Sequence, residues 1–298
     1  MRVTQNTTAN LVANNLQVIR RRTEDLEQQA STGIKVSRPS DDPVSAQQIL
    51  NLKARVAAGD QYGRNISNGI AWLTMGESAM AEMGNVITRA KELTLQMVTG
   101  TNNPQAITAG INELKQLKQQ FLQLGNTQMN GKYIFGGFKN DTPAFDTAGN
   151  FLGTSDALMV EVDRGAPVQI NYSGADLLRG GNPPGSSGTD IVAAFDNLIT
   201  ALGANNMTTA QNQLTEFDNG LSQVLAFRTD IGARRNRLDS ANNVIDEMKF
   251  SITKIMSDKQ DVDIMQVISD LSKQQTAFDA AMAASAKVSQ VSLLDYLR

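Results

Sequence analysis

One uninterrupted heptad pattern constrains this chain more than any other feature. Between Ala210 and Met256, apolar or register residues alternate at spacings of four and three, with no proline. Such a repeat keeps one stripe of a long helix against one neighbour, so the stretch is predicted to be a helix in a bundle or coiled coil. The stripe, called the long seam below, consists of Ala210, Leu214, Phe217, Leu221, Val224, Arg228, Ile231, Arg235, Leu238, Asn242, Ile245, Lys249, Ile252 and Met256.

The long seam changes character in its second half. From Arg228 onward one of its two alternating positions is polar, while isoleucine or leucine holds the other. Polar seam residues weaken a coiled coil but fix its register and its partner. Taken alone, the stretch favours a long helix in an ordinary bundle.

The residue types that are missing exclude much chemistry. The sequence has no cysteine, which excludes disulfides and Cys-based sites, and no histidine, the commonest general base and metal ligand. We therefore expect no cofactor and no metal. The net charge of -3 and the shortness of the longest arginine run, 20–22, argue against nucleic-acid binding.

Targeting signals are also missing from the pattern. Residues 1–10 are polar and lack the apolar core of a general secretory signal peptide, and no run of about eighteen apolar residues predicts a membrane span. Composition alone therefore points to the cytoplasm.

Helical periodicity starts near the N-terminus. A stripe through Val12, Leu16, Ile19 and Leu26 ends at Gly33, a residue typical of helix C-termini.

A second helix is predicted to follow a short loop. Asp42 suits an N-cap and Pro43 the first helical position, so loop chemistry explains Asp41 and Asp42 better than acid–base catalysis does. The helical pattern runs through Val56 and resumes after Gly63, and a third stripe covers 107–124.

The middle of the chain has a different character. From Asn130 to Gly188 it is rich in Gly, Asn, Asp and Pro, with short β-like runs. The runs 158–162 and 168–172, separated by a turn, predict a hairpin. The glycine-rich stretch 180–188 does not match a phosphate-binding loop and is predicted to be a flexible return segment.

Both ends of the chain carry helical stripes that need a partner. After the long seam and a break near 257–263, a last helix is predicted from Ile264 through Phe278 to an apolar tail. The terminal stripes can bury themselves only against each other or against another subunit. Folding back on the monomer and assembly both remain open, and the matching patterns slightly favour assembly.

These patterns predict a mainly α protein: a long antiparallel helical bundle or coiled coil from both termini, with a small central β-rich insert. We expect terminal coiled-coil helices over 1–35 and 257–298, and a helical bundle core over 36–130 and 189–256. The β-rich, surface-exposed insert is expected over 131–188.

Four stretches in this order resemble the flagellin superfamily and, within it, the branch of hook–filament junction proteins. The stretches are 31–36 with 39–43, then 62–77, then 130–137 with 142–145, and finally 228–238. The second of these is shared with flagellin itself, whereas the third is typical of the junction branch. The ending 293–297 also fits.

The resemblance implies an extracellular flagellar adaptor. Members of this branch are exported by the flagellar type III apparatus, and their termini fold into an inner tube only on assembly. They stand between the first hook-associated protein and the first flagellin, and also contact copies of themselves. A dedicated export chaperone is expected to cover residues 278–297.

The resemblance and the stripes together suggest candidate interface residues. Gly33, Asp42 and Pro43 are expected to serve as caps and turns. The assembly and chaperone interface is predicted to consist of Val12, Leu16, Ile19, Leu26, Phe278, Val288, Val291, Leu293, Leu294, Tyr296 and Leu297.

Two other functions are alternatives to a junction adaptor. A flagellin-type filament subunit is the first alternative, although the block 133–137 argues against it. An enzyme without His or Cys would need a carboxylate pair, as in glycosidases. Glu161 and Asp163 are the nearest candidates, and their alternation is typical of an ordinary polar strand edge.

We predict that replacing Leu293, Leu294 and Tyr296 with Ala leaves the central domain folded but blocks incorporation into a flagellum, because the apolar tail is reserved for assembly. Incorporation can be scored by electron microscopy of purified flagella. Incorporation of this variant at the level of the unchanged protein would contradict the prediction.

Overall fold

A computed structural model describes residues 5–99 and 104–296, with side chains for 10–99 and 104–286. It is mainly helical, which confirms the predicted fold class. The helices are α1 (Gln5–Thr32), α2 (Pro43–Thr99), α3 (Pro104–Gly125), α4 (Gly174–Arg179), α5 (Ile191–Gly203), α6 (Met207–Gln260) and α7 (Ile264–Tyr296). The strands are β1 (Gln128–Met129), β2 (Lys132–Tyr133), β3 (Met159–Asp163) and β4 (Ala166–Gln169).

The chain divides into two compact units. Unit 1 combines the residues up to Ala58 with those from Met248 onward, and unit 2 runs from Gly59 to Glu247. Unit 1 therefore contains α1 and α7, whereas unit 2 contains α3, α4, α5 and all four strands. The three-part division predicted from the sequence places its boundaries elsewhere and stays a prediction.

Helix α2 passes through Gly63 without a break. The interruption that the pattern predicted there was wrong. A glycine inside a helix costs only about 1 kcal/mol relative to alanine, and the helix is buried beyond it, at Ile66 and Leu73. Packing of the apolar face therefore outweighs the weak local signal.

The long seam forms the buried face of α6, as its periodicity predicted. The alternate positions, including the polar ones, are half-buried. The other seam positions recur every seven residues and are at most 6% exposed: Ala210, Phe217, Val224, Ile231, Leu238, Ile245 and Ile252.

Within unit 2 the seam packs against α2, which runs antiparallel to α6. A Cβ added at Gly69 would lie 3.3 Å from Leu238 Cδ1, and one added at Gly76 would lie 3.9 Å from Ile231 Cδ1. The two helices approach closely where α2 lacks a side chain. As the residue number rises along α2, that of the contacting residue falls along α6, which shows that the two helices are antiparallel.

Glu77 of α2 lies between two polar residues of the long seam. Its Oε2 is 3.0 Å from Arg235 Nη1, and its Oε1 is 3.9 Å from Arg228 Nη2. These side chains are more than a third exposed, so each ion pair adds little stability by itself. Among the described residues, the buried Nε atoms of both arginines have no hydrogen-bond partner.

An aromatic cluster joins α3 and α5 to α6. The ring of Phe195 on α5 lies 5.8 Å from that of Phe121 on α3 and 4.9 Å from that of Phe217 on α6. The second pair is edge-on, the arrangement that aromatic quadrupoles favour. All three side chains are fully buried, so the seam extends into a wider core.

The insert consists of two small antiparallel hairpins and a short helix. Asn130 and Gly131 turn between β1 and β2 with φ of 51° and 77°, as a two-residue type I′ turn requires. Strands β3 and β4 form the hairpin predicted over 158–172. Helix α4 was not predicted, because six residues are too few to show a period.

The glycine-rich stretch 180–188 is a hydrogen-bonded turn system and does not extend away as a flexible return segment. The Gly181 N–H donates to Ala175 O at 3.0 Å, and the Ser187 N–H donates to Gly180 O at 2.7 Å. Gly180, with φ of 61°, caps the C-terminus of α4. Gly180, Gly181 and Gly185 thus adopt the positive φ angles that a compact turn requires.

One residue of α6 fixes this turn to the bundle. The Gln223 Nε2 donates to Leu177 O at 2.9 Å and to Asp176 O at 3.1 Å, while its Oε1 accepts from the Thr189 N–H at 2.8 Å. A single amide therefore satisfies backbone groups at the end of α4 and just before α5. Such groups are costly to leave unpaired when buried.

Tyr172, which follows β4, also attaches the insert to α6. Its hydroxyl donates to Asp230 Oδ2 at 2.8 Å, and the Arg234 guanidinium lies 4.4 Å from its ring centroid. Burial, followed by the hydrogen bond to Asp230, raises the pKa of Tyr172 above its usual value. The phenol therefore stays protonated and acts as a donor to α6.

Two glycines of α6 allow a matched test of its packing. We predict that Gly232→Ala raises the free energy of unfolding by about 0.5–1 kcal/mol, because its Cβ would meet no atom within 4 Å. Gly220→Ala should lower it by about 1–3 kcal/mol, because its Cβ would lie 2.7 Å from Ile191 Cγ1. Urea unfolding followed by the fluorescence of Trp72 measures both; a destabilising Gly232→Ala would contradict the first expectation.

Candidate assembly interface

The end of α1 is joined to the start of α7 by backbone hydrogen bonds. The Val262 N–H donates to Gly33 O at 3.0 Å, and the Lys35 N–H donates to Gln260 O at 2.6 Å. Between them Ile34 and Asp261 form an antiparallel bridge. Since α1 and α7 also pack against each other, they run antiparallel in unit 1.

The predicted caps lie at this junction. Gly33 adopts φ of 69°, and Pro43 is the first residue of α2. The Asp42 Oδ1 accepts from the Val44 and Ser45 N–H groups, each at 3.0 Å. Hydrogen bonds, chiefly from the Ser45 side chain, lower the pKa of Asp42 below its usual value, which keeps the cap ionised near neutral pH.

The neighbouring Asp41 organises the loop. Its Oδ2 accepts from the Arg38 N–H at 2.9 Å and from the Ser37 N–H at 3.1 Å. The Arg38 N–H contributes most to lowering the pKa of Asp41. Both aspartates thus have structural partners, in line with the loop interpretation.

The predicted interface residues of α1 and the described one of α7 lie on half-buried stripes. These stripes follow heptad spacing on two helices that are in contact, so they form a seam between α1 and α7. The half-buried residues are Val12, Leu16, Ile19, Leu26 and Phe278. The side chains of Val288, Val291, Leu293, Leu294 and Tyr296, and all of Leu297, lie outside the described residues.

A second group of apolar side chains in unit 1 points to solvent. Of the eighteen exposed large apolar side chains among the described residues, eleven belong to unit 1, although it has fewer described residues. We call these eleven the outer apolar set. They are Leu11, Val18, Val44, Leu50, Met248, Phe250, Ile255, Ile264, Met265, Ile268 and Met282.

Most of the outer apolar set was not selected from the sequence, because heptad reading follows only the strongest stripe of each helix; Ile264, at the start of the predicted last helix, was on such a stripe, and Met248 and Ile255 lay beside the long seam. Leu11 and Val18 are seven residues apart on α1, and Ile264 and Ile268 are one turn apart on α7, so a second apolar face was visible. Covering such side chains is worth about 1.5–3 kcal/mol each. The outer apolar set is therefore the candidate contact surface of unit 1.

The candidate carboxylate pair of the insert is engaged in a turn. The Glu161 Oε1 accepts from the Gly165 N–H at 2.9 Å, and the Asp163 Oδ1 accepts from the Arg164 N–H at 2.7 Å. Both residues lie on the exposed side of β3. They stabilise the hairpin between β3 and β4, as a polar strand edge does.

Within the described ranges, no helix is long and apolar enough to cross a membrane. In the same part of the chain no three Asp or Glu side chains gather as metal ligands would.

Fold and surface together define a class of protein: a mainly helical subunit whose terminal helices lie side by side and present apolar side chains. Residues 3–140 match the bacterial flagellin N-terminal helical region, and residues 214–297 match the bacterial flagellin C-terminal helical region. Together these matches cover well over half of the sequence. The chain therefore belongs to the flagellin superfamily, as the resemblance predicted.

Individual relatives agree with this assignment. Flagellar hook-associated protein 3 of Escherichia coli strain K12 is 29% identical over 89% of this chain and 90% of its own length. That of Salmonella typhimurium strain LT2 is 27% identical over 86% and 87%. The structure of a putative flagellar hook-associated protein from Vibrio parahaemolyticus has a TM-score of 0.68, with 26% identity, and covers 74% of this chain and all of that one.

Substitutions between α1 and α7 should affect the terminal helices differently from substitutions in the outer apolar set. Leu16→Gln with Ile19→Gln should release α1 from α7, lowering helical content and speeding amide exchange in both helices. Ile264→Gln with Ile268→Gln should leave both measurements unchanged, because these side chains are 50% and 52% exposed. Circular dichroism and hydrogen exchange with mass spectrometry provide the readouts. Unprotected amides in the unchanged protein and in both double variants would contradict the expectation, because they would show that α1 and α7 pair only within an assembly.

Proposed function

We propose that this chain is a structural adaptor of the bacterial flagellum that joins the hook to the flagellin filament. The relatives named hook-associated protein 3 match it over most of its length, which supports the placement. The observation that carries the proposal is the concentration of exposed apolar side chains in unit 1. A structural subunit uses such a surface for neighbours, and the helical pair supplies it in a regular form.

The adaptor has two kinds of partner as well as copies of itself. The first hook-associated protein lies on the hook side and flagellin on the filament side. Contacts along such an assembly are head-to-tail, the kind that builds rings and tubes. The two neighbours are not identical, and flexible side chains such as Met248, Met265 and Met282 in the outer apolar set can adapt to both.

The division into units suits assembly at a growing end. Unit 2 buries its large core side chains on its own, among them Phe121, Phe195 and Phe217. Unit 1 leaves its outer apolar set for neighbours. The cost of ordering the terminal helices completely is then offset only when a neighbour is present, which holds back polymerisation of free subunits.

Export is part of the proposal, as the resemblance to the junction branch implies. The protein functions outside the cell, on the flagellum, after passing through the flagellar type III apparatus. A dedicated chaperone covers residues 278–297 before export, because an apolar helical tail left in water would associate with other chains. The part of α7 described here, with Phe278 half-buried and Met282 exposed, begins that segment.

A flagellin-type filament subunit is the alternative, and the matches to both flagellin helical regions favour it as a second candidate. The two functions differ in stoichiometry. An adaptor stops after a limited layer at the hook end, whereas a filament subunit polymerises without limit.

A seeding assay distinguishes the two. Hook fragments that already carry the first hook-associated protein are mixed with purified flagellin, with and without this protein, and examined by electron microscopy. We expect filaments to grow from the hook ends only when the protein is present, and we expect it to form no long filaments alone. Long filaments of the protein alone would favour the flagellin alternative, and growth without it would overturn the adaptor proposal.

A further inference from the structure

Five methionines among the described residues lie in two contrasting environments. In the core of unit 2, Met80, Met83 and Met97 are at most 4% exposed. On α7 of unit 1, Met265 is 78% exposed and Met282 is 51% exposed. No other large apolar side chain in the described residues is as exposed as Met265, so its thioether sulfur is open to reagents in solvent.

Met265 and Met282 both belong to the outer apolar set. The Met265 N–H donates to the N-cap Asp263 Oδ1 at 3.0 Å, which fixes its backbone in the first turn of α7 while the side chain extends into water. Met282 is about five helical turns from Ile264 and so lies on the same side of the helix. Their side chains are thus part of the surface assigned above to neighbouring subunits.

We propose that Met265 and Met282 form an oxidation-sensitive site that controls whether a subunit can be incorporated. The inference rests on the proposed function. The oxidant is hydrogen peroxide: the sulfur lone pair attacks one peroxide oxygen, an S–O bond forms, and the O–O bond breaks. The proton of the transferred oxygen passes to the departing hydroxide, which leaves as water. The thioether loses two electrons and becomes a sulfoxide, while the peroxide is reduced.

Sulfoxide formation changes the surface and leaves the fold intact. A sulfoxide is polar and chiral, so burying it against an apolar neighbour leaves its oxygen without a hydrogen-bond partner. The core methionines of unit 2 are shielded from peroxide by their burial. A neighbour that covers Met265 and Met282 also protects them, so the sensitivity belongs to the free subunit. Methionine sulfoxide reductases reverse the change.

The chain provides its own control residue. Met159 on β3 is 58% exposed, comparable to Met282, but it lies in the insert, outside the outer apolar set. Peroxide should therefore oxidise Met159 as readily, without effect on incorporation.

The test treats the full-length protein with increasing hydrogen peroxide and locates sulfoxides by peptide mass spectrometry. Seeding of flagellin growth on hook ends is measured in parallel. We expect Met265, Met282 and Met159 to be oxidised before Met80, Met83 and Met97, and seeding to fall as Met265 and Met282 are oxidised. Sulfoxide reductase should restore it. Peroxide added after assembly should oxidise Met159 but spare Met265 and Met282.

Two variants assign the effect to particular sulfurs. For each, seeding is expressed as the ratio of treated to untreated protein, so that any effect of the substitution itself divides out. M265L with M282L should keep a ratio near one, whereas M159L should show the same loss as the unchanged protein.

The outcomes separate the two proposals. Failure of untreated protein to seed would overturn the proposed function. Full seeding by protein whose Met265 and Met282 are both sulfoxides would overturn this inference alone, as would protection by M159L.

Discussion

Burial of one α6 residue in every seven against α2 is the interaction on which unit 2 depends. Two of the buried positions lie beside a further element of the fold. Phe217 contacts Phe195 of α5, and Leu238 lies beside Gly69, whose added Cβ would lie 3.1 Å from Ile170 Cγ2 beyond β4. Burying apolar side chains against these residues lowers the free energy of the folded state, so the helices and the insert pack around them.

Unit 1 uses the same repeat with a different outcome. Its terminal helices bury one stripe between themselves, yet each keeps apolar side chains on another face, such as Val18 and Ile268. A helix in contact with a single neighbour can cover only one stripe. Two helices alone are therefore too few to enclose all the apolar residues that this sequence places on them, and the proposed function assigns the remaining cover to neighbouring subunits.

How much the sequence predicts depends on the range of the interaction. The long seam was predictable because its period persists over many turns, and Asp42 was recognisable as a cap because capping is local. The continuity of α2 through Gly63 was not, since a weak local break is overridden by packing that the sequence does not display. Helix α4 and the turn system over 180–188 depend on Gln223, a residue distant in the chain.

The sequence predicted an assembly surface on the terminal helices, and the residues that form it stay a prediction. The relatives agree with a flagellar subunit. Periodicity, however, identifies the face that is most regular, and on α1 that face, with Leu16 and Ile19, lies toward α7. The faces left for neighbours carry fewer and less regular apolar residues. Their role becomes visible only when the burial of the paired helices is known.

Glu77 determines how α2 is aligned with α6 along the helix axes. A buried row of similar aliphatic residues is nearly unchanged by a translation of one heptad, about 10 Å along the axis, so apolar packing alone leaves the alignment of α2 and α6 almost degenerate. One carboxylate held between Arg228 and Arg235 removes that degeneracy, because a translated helix would separate it from one of its two arginines. A contact that adds little energy thereby selects one alignment among several of similar stability.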